Sequence, residues 1–158
     1  MTQQEYGIEL TWTGNLGSGT SAPRDYSRDH SITADGMELP IIGSAAKMYR
    51  GDPTKWNPEL LMVAAVSECH MLWYLHFCAV NGIVVKSYKD SATGTLDTTH
   101  EPYKPRFVGL TLRPEIVVTD SSMVHKAYEL HEDANAYCFV ANSLNFPVSH
   151  EPIVTSAG

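Results

Sequence analysis

Apolar residues follow two different spacings along this chain, and the switch between them marks the elements. From Ile8 to Thr13 and from His30 to Ala34 the pattern is short and extended, which predicts two strands. Between them lies the Gly/Ser/Pro-rich stretch GNLGSGTSAPRDYSR, and a turn at Asp35-Gly36 follows. The pair reads as a hairpin with an unusually long connection. Loops of that length inside a compact domain are more often functional than decorative, and this one ends in Arg24 and Arg28.

The helix signal is clearest at RGDPTKWNPELL. Asn57 can cap the free amides of a first turn, Pro58 fits the first helical position, and Glu59 suits the positive end of the helix dipole. Leu61, Ala64, Ala65, Cys69, Leu72, Trp73, Leu75 and Ala79 then make the helix apolar on most faces until Asn81-Gly82 ends it. A helix of ~25 residues without a consistent polar face is expected to be central, covered by sheet or by a partner chain, in dry surroundings. Beyond it, IVVKSYKDSATGTL places Val84, Tyr88, Ala92 and Leu96 on one face, and Arg106 to Val118 alternates Val108, Leu110 and Leu112 against polar neighbours. This predicts two amphipathic strands paired antiparallel. Asp120 or Ser121 caps a second helix in which Val124, Tyr128, His131 and Asn135 share a stripe, and which runs into AYCFVANSLNF. Pro147 stops any helix, and PVSHEPIV reads as a last edge strand. The expected class is α+β, one domain over residues 1–158, with antiparallel sheets packed around a long buried central helix.

Composition narrows the function. The chain has 158 residues, 43% hydrophobic and 18% charged, so about 70% of its unfolded surface can be buried without staples. A net charge of -7 without a basic cluster makes nucleic acid a poor partner. The opening MTQQEYGIEL lacks a basic segment followed by an apolar run, so a cytoplasmic location is expected. Leu60 to Val85 is apolar, but Glu68, His70, His76 and Asn81 are costly in hydrocarbon, which favours a core helix over a membrane span. Three cysteines do not make a secreted disulfide framework.

Each cysteine is either a small core residue or a chemical group. Cys69 lies about three turns inside the apolar helix, away from the N-terminus, so a thiolate there needs a neighbouring cation such as Arg24 or Arg28. Cys138 follows the second helix at a helical break. The two would suit peroxide reduction, one becoming sulfenic acid and the other condensing with it. Inert core packing is the alternative for both. Cys78 lies about 180° round the helix from Cys69 and reads as core filler. The His70/His76 and His125/His131 spacings are not ligand patterns, so neither a metal nor another cofactor is called for. Trp73, Tyr74 and Phe77 suit a core, although the lining of an apolar substrate site would use the same residue types. GNLGSGT lacks the Lys-Ser/Thr of a phosphate loop.

Taken together, these residues resemble the OsmC/Ohr family of thiol peroxidases. NPELLMVAAVSEC places a Cys ten residues after the Glu of a central helix, and CFVANSLNFPV resembles that family's second-cysteine segment, Cys-Pro-x-Ser-Asn-Ala. TWTGN, YSRDH, RGD, WNPELL, CHMLWYLH and NSLNFPV together look like one OsmC-like subgroup. The sequence departs from the pattern at Phe139, where Pro is usual, and at Glu68 and His70, which replace small or apolar neighbours of the first Cys. It also departs in GNLGSGT, which lacks the arginine found just after the first strand. The resemblance implies an intertwined homodimer in which Cys69 is the peroxidatic thiolate and Cys138 the resolving thiol of an intramolecular disulfide. Glu59 would orient an arginine, Arg28 ahead of Arg24, that holds Cys69 as thiolate and polarises the peroxide. Organic alkyl or lipid hydroperoxides would be the substrate, against Leu72, Trp73 and Phe139, with a dithiol, in some relatives a lipoyl protein, as reductant.

Geometry adds a constraint. Glu59 and Cys69 are ten residues apart on one helix, ~15 Å along its axis, which is far for one shared arginine. Either the helix breaks, or the Glu59 and Cys69 of one site come from different chains. Two competing readings remain: a non-catalytic binder of an apolar small molecule with an inert Cys69, and a metal-dependent hydrolase, which the His spacings disfavour.

Overall fold

The N-terminal extended pattern produces three strands. β1 (Glu9–Trp12) pairs antiparallel with β2 (His30–Thr33), Trp12 opposite His30, and β2 pairs antiparallel with β3 (Ile41–Gly43), a strand too short for the pattern to single out. The structure, a computed structural model, describes residues 3–99 and 104–157 and divides into two compact units, residues 1–61 and 62–158. In the first unit the hairpin continues past its strands. The Thr13 amide donates to the Asp29 carbonyl at 2.9 Å, the Ser27 amide to the Gly14 carbonyl at 2.9 Å, and Asn15 bridges to Tyr26. The long connection is therefore shorter than the sequence implies. Gly14 permits this approach, since a Cβ there would lie 2.0 Å from the Ser27 carbonyl oxygen.

The central helix, α1 (Pro58–Val80), starts where the caps predict, with Asn57 Oδ1 accepting the Leu60 amide at 2.9 Å. It runs unbroken and ends at Gly82, whose φ of 70° is the left-handed conformation that a terminating glycine supplies. Within residues 62–158 it buries Val66, Cys69, His70, Tyr74 and Cys78. By length and composition alone α1 could cross a membrane. The buried His70 and the packing of Tyr74 and Cys78 among Ile83, Ile116, Val118, Ala127 and Leu130 are those of a core helix. Coverage is one-sided, however: Leu72 and Val80 are 57% and 64% exposed.

Each of the two long strands expected after α1 is two strands. β4 (Val85–Asp90) and β5 (Thr93–Asp97) replace the first, and β6 (Arg106–Leu112) and β7 (Pro114–Val118) the second. The cause is local. Asp90 Oδ1 accepts the Arg113 amide at 2.7 Å, its other oxygen takes the Ser67 hydroxyl, and Pro114 has no amide to continue the ladder. Two sheets result, ordered β4-β7-β9 and β5-β6-β8. The antiparallel pairs β4–β7 and β5–β6 each carry a register shift, one between Val85 and Ser87, the other between Thr95 and Leu96. These bulges change the phase of the predicted faces. Val85 and Tyr88 pack on the core while Val84 is 56% exposed, and Phe107, Leu110 and Leu112 turn inward while Val108 does not.

The second helix is preceded by a 3-10 turn, Ser121–Met123, which Asp120 caps through the Ser122 amide at 2.8 Å. α2 (Val124–Tyr137) follows, buried along Ala127, Leu130, His131 and Ala134. Tyr128, assigned to the inner stripe from sequence, is exposed, being about 100° round the helix from Ala127. Cys138, with extended backbone at ψ 95°, separates α2 from the short α3 (Phe139–Asn142), the helical break that the sequence implied. The last segment is also two strands, split at Glu151-Pro152. β8 (Val148–His150) joins β6 and β9 (Ile153–Ser156) joins β7, both in parallel at a sheet edge.

The bulge after Val85 makes a specific demand. Val85→Ala removes two buried methyl groups and should cost about 1.5 kcal/mol, whereas Val84→Ala should stay within about 0.5 kcal/mol, both read from urea-unfolding midpoints. The opposite order would mean that β4 packs in the phase read from sequence.

Candidate functional site

In the first unit the extended ladder carries Tyr26, Arg28 and His30 at alternate positions, so the three share one face. With Trp12, Tyr49 and Glu59 they line a pocket of about 380 Å³. Arg28 Nη1 donates to the Tyr26 carbonyl at 2.8 Å, and its guanidinium lies over the Tyr26 ring, 4.2 Å from the centroid. Trp12 meets Tyr26 edge to face at 5.8 Å and donates from Nε1 to the Ser27 carbonyl. Glu59, in the first turn of α1, has a buried Oε2 with no hydrogen-bond partner among the described residues. A stacked guanidinium and an unsatisfied carboxylate oxygen in one pocket, with aromatic and small apolar residues around them, are well placed to bind a polar group presented by an apolar molecule. Arg24 is exposed and is not among the lining residues, so the structure brings Arg28 together with Glu59.

In the second unit Cys69 on α1 and Cys138 after α2 lie within hydrogen-bonding reach of each other, both buried and both free thiols. Cys138 Sγ also accepts the Ala141 amide at 3.4 Å. Burial, and then the neighbouring Cys69 thiol, push the Cys138 thiol up to about 11, which keeps it protonated at neutral pH. Cys78 belongs to the apolar core beside Tyr74, and burial raises it too. Leu72 and Phe139, the expected substrate contacts, are 57% and 61% exposed, and Trp73 is half-buried with its ring 5.3 Å from that of Tyr137. Glu68 is on the exposed side of α1.

Sequence reasoning missed the aromatic half of the pocket, above all Tyr26, although its place two residues before Arg28 in an extended segment was a usable signal. It also missed the pairing of His70 with His131, whose Nε2 and Nδ1 are 3.0 Å apart. No periodicity joins residues 61 apart, and only the packing of α2 on α1 does so. Among the described residues, no three His, Cys, Asp or Glu side chains are arranged to hold a metal ion.

The fold and site together define a class of α+β protein in which a long helix presents one cysteine to a second at a helical break. The chain belongs to the OsmC-like protein family, whose model matches residues 51–152. Among solved structures it is similar to an OsmC-like protein of unknown function from Vibrio cholerae, with 30% identity and a TM-score of 0.84 over 96% of this chain and 100% of that one. An organic hydroperoxide resistance protein OsmC from Legionella pneumophila superposes with a TM-score of 0.68 at 16% identity, over 98% and 99% of the two chains. The organic hydroperoxide resistance protein OhrB of Bacillus subtilis does so at 0.62 and 18%, over 94% and 98%. No curated protein matches the sequence.

Thiol reactivity should follow these surroundings. In native protein near neutral pH, iodoacetamide should leave Cys138 and Cys78 unmodified, because at a thiol value of about 11 only about one Cys138 in ten thousand is thiolate at pH 7. Both should label in denaturant, and peptide mapping distinguishes them. Prompt native labelling of Cys138 would contradict its burial against Cys69.

Proposed function

We propose that this protein is a thiol-dependent peroxidase that reduces organic hydroperoxides. The observation that carries the reading is the buried, unbonded pair of thiols at Cys69 and Cys138. In this mechanism the Cys69 thiolate attacks the outer peroxide oxygen and the O–O bond breaks. The leaving alkoxide takes a proton to become an alcohol, and Cys69 is left as sulfenic acid. Cys138 then condenses with it, so that the S–S bond forms and water leaves. An external dithiol, a lipoyl protein among the candidates, restores both thiols by exchange. The exposed Leu72 and Phe139 and the half-buried Trp73 are the apolar surface assigned to the organic group in this reading. A fatty chain gains ~0.8 kcal/mol per buried CH₂ there, which favours alkyl or lipid hydroperoxides over hydrogen peroxide. Free, unbridged cysteines also fit the reducing cytosol expected from the sequence.

The same proposal includes a homodimer. Because α1 is unbroken from Pro58 to Val80, Glu59 and Cys69 are ~15 Å apart along its axis, and one chain does not bring both to a single peroxide. In the proposed assembly the Arg28–Glu59 pocket of one chain serves the Cys69–Cys138 pair of its partner. There Arg28 polarises the peroxide and holds the Cys69 thiolate, while Glu59 orients Arg28. The second copy also covers the apolar side of α1 that one chain leaves open.

Intact-mass analysis of reduced protein after one equivalent of an organic hydroperoxide tests the chemistry. The expected result is a fast loss of about two mass units, the two thiol hydrogens, mapping to Cys69 and Cys138, and a sulfenic acid at Cys69 in Cys138→Ser. An unreacted Cys69 would move the function to apolar ligand binding on the same fold. For the assembly, Cys69→Ser and Glu59→Gln should each be inactive, and co-refolding them should restore about a quarter of wild-type activity. Half of the dimers are then mixed, and each regains one of its two sites. No recovery, or a fully active monomer by sedimentation, would reject the shared site.

A further inference from the structure

The core of residues 62–158 contains an imidazole cluster that the peroxidase reading does not use. His70 on α1 and His131 on α2, both fully buried, lie nearly coplanar at 8°, joined by one N–H···N hydrogen bond of 3.0 Å. His150 on β8 stands 5.7 and 6.1 Å from them, ring centre to ring centre. Tyr74 stacks on His131 at 4.0 Å, with Cys78 beside it on α1 and Tyr88 on β4 at 5.8 Å. Glu132 on α2, its side chain 80% exposed, bonds His150 Nε2 at 3.2 Å. His70 Nδ1, His131 Nε2 and His150 Nδ1 are buried without partners among the described residues. The thiols adjoin the same two helices: Cys69 directly precedes His70 on α1, and Cys138 stands just past the end of α2, seven residues after His131.

We propose that His70 and His131 form an acid-operated lock on the contact between α1 and α2, so that the approach of Cys69 to Cys138 requires both rings to be neutral. Hydrogen-bond capacity sets this requirement. In the neutral pair one facing nitrogen donates and the other accepts, which needs either Nε2–H on His70 against a bare Nδ1 on His131 or the reverse. A first proton leaves that bond intact but creates a buried cation that, among the described residues, no carboxylate bonds, since Glu132 pairs with His150. A second proton puts hydrogens on both facing nitrogens and turns the bond into a repulsion. Burial, then the His150 charge, holds His70 down at about 4, and burial with His70 and His150 holds His131 down at about 3, against an ordinary 6.5. Both values are lowered in the folded state, so protons bind the unfolded chain more readily. The contact is intact above about pH 6.5 and loses stability as pH falls from there toward 4 and 3.

The lock rests on the reading of Cys69 and Cys138 as a redox pair, but its test needs no hydroperoxide, so failure of the peroxidase reading would leave the result legible. Thiol exposure is read with 4,4′-dithiodipyridine, which reacts in acid as well as at neutral pH, with far-UV circular dichroism in parallel. Cys138 labelling, relative to free cysteine, should rise at least about tenfold between pH 7 and pH 4. In His70→Gln with His131→Asn, whose amides stand in for Nε2 and Nδ1 without titrating, neutral protection should persist and the acid rise should vanish. His131→Asn alone serves if the double variant does not fold. His131→Leu should lose protection already at neutral pH. An unchanged acid midpoint in the amide variant, or full neutral protection in His131→Leu, would overturn the lock.

Discussion

Residues 62–158 depend on one contact, the inner face of α1 laid against α2. Ala127 and Ala134, both fully buried, keep the α2 side low, and Tyr74 fills the space by stacking on His131. The β-sheet of β4, β7 and β9 closes over this contact with Ile116 and Val118. Unusually for a core, the contact also carries polar groups. An imidazole pair and a thiol pair occupy positions that aliphatic side chains would fill more favourably, and His70 Nδ1 and His131 Nε2 lack hydrogen-bond partners among the described residues. Stability is thereby given up along the line where the candidate chemistry sits.

Burial acts on Cys138 through its charge state. Cys138 is held as a thiol by its dry surroundings, so at neutral pH it is a poor nucleophile. A thiol that remains protonated at rest is slow to be alkylated. The Arg28–Glu59 pocket complements this arrangement chemically. It holds a cation stacked on an aromatic ring and a carboxylate oxygen with an unmet hydrogen bond, the kind of groups that a buried thiol lacks. Glu59 and Cys69 belong to the same unbroken helix, ten residues apart in sequence.

Much was legible in local pattern. Asn57-Pro58 and Gly82 delimit α1 because capping and termination depend on residues within one turn, and Cys138 stands at a helical break for the same reason. The pairing of Cys69 with Cys138 followed only from resemblance to a family, since nothing at a separation of 69 residues can be read from periodicity. Arg28 rather than Arg24 shares the pocket because the hairpin ladder runs on past Trp12 to Tyr26, a consequence of Gly14 admitting the Ser27 carbonyl. The inner faces of β4 and β6 were misread because two bulges shift a period of two by one residue.

By itself, then, the sequence determined the elements, their caps and the apolar character of α1, all properties of neighbouring residues along the chain. Tertiary structure decided the splitting of each long strand at Asp90 and Arg113, the phase of the faces, the meeting of His70 with His131, and the company of Arg28 and Glu59. These depend on which distant groups come within hydrogen-bonding distance, and that is set by packing, where a single carboxylate or glycine can redirect a strand.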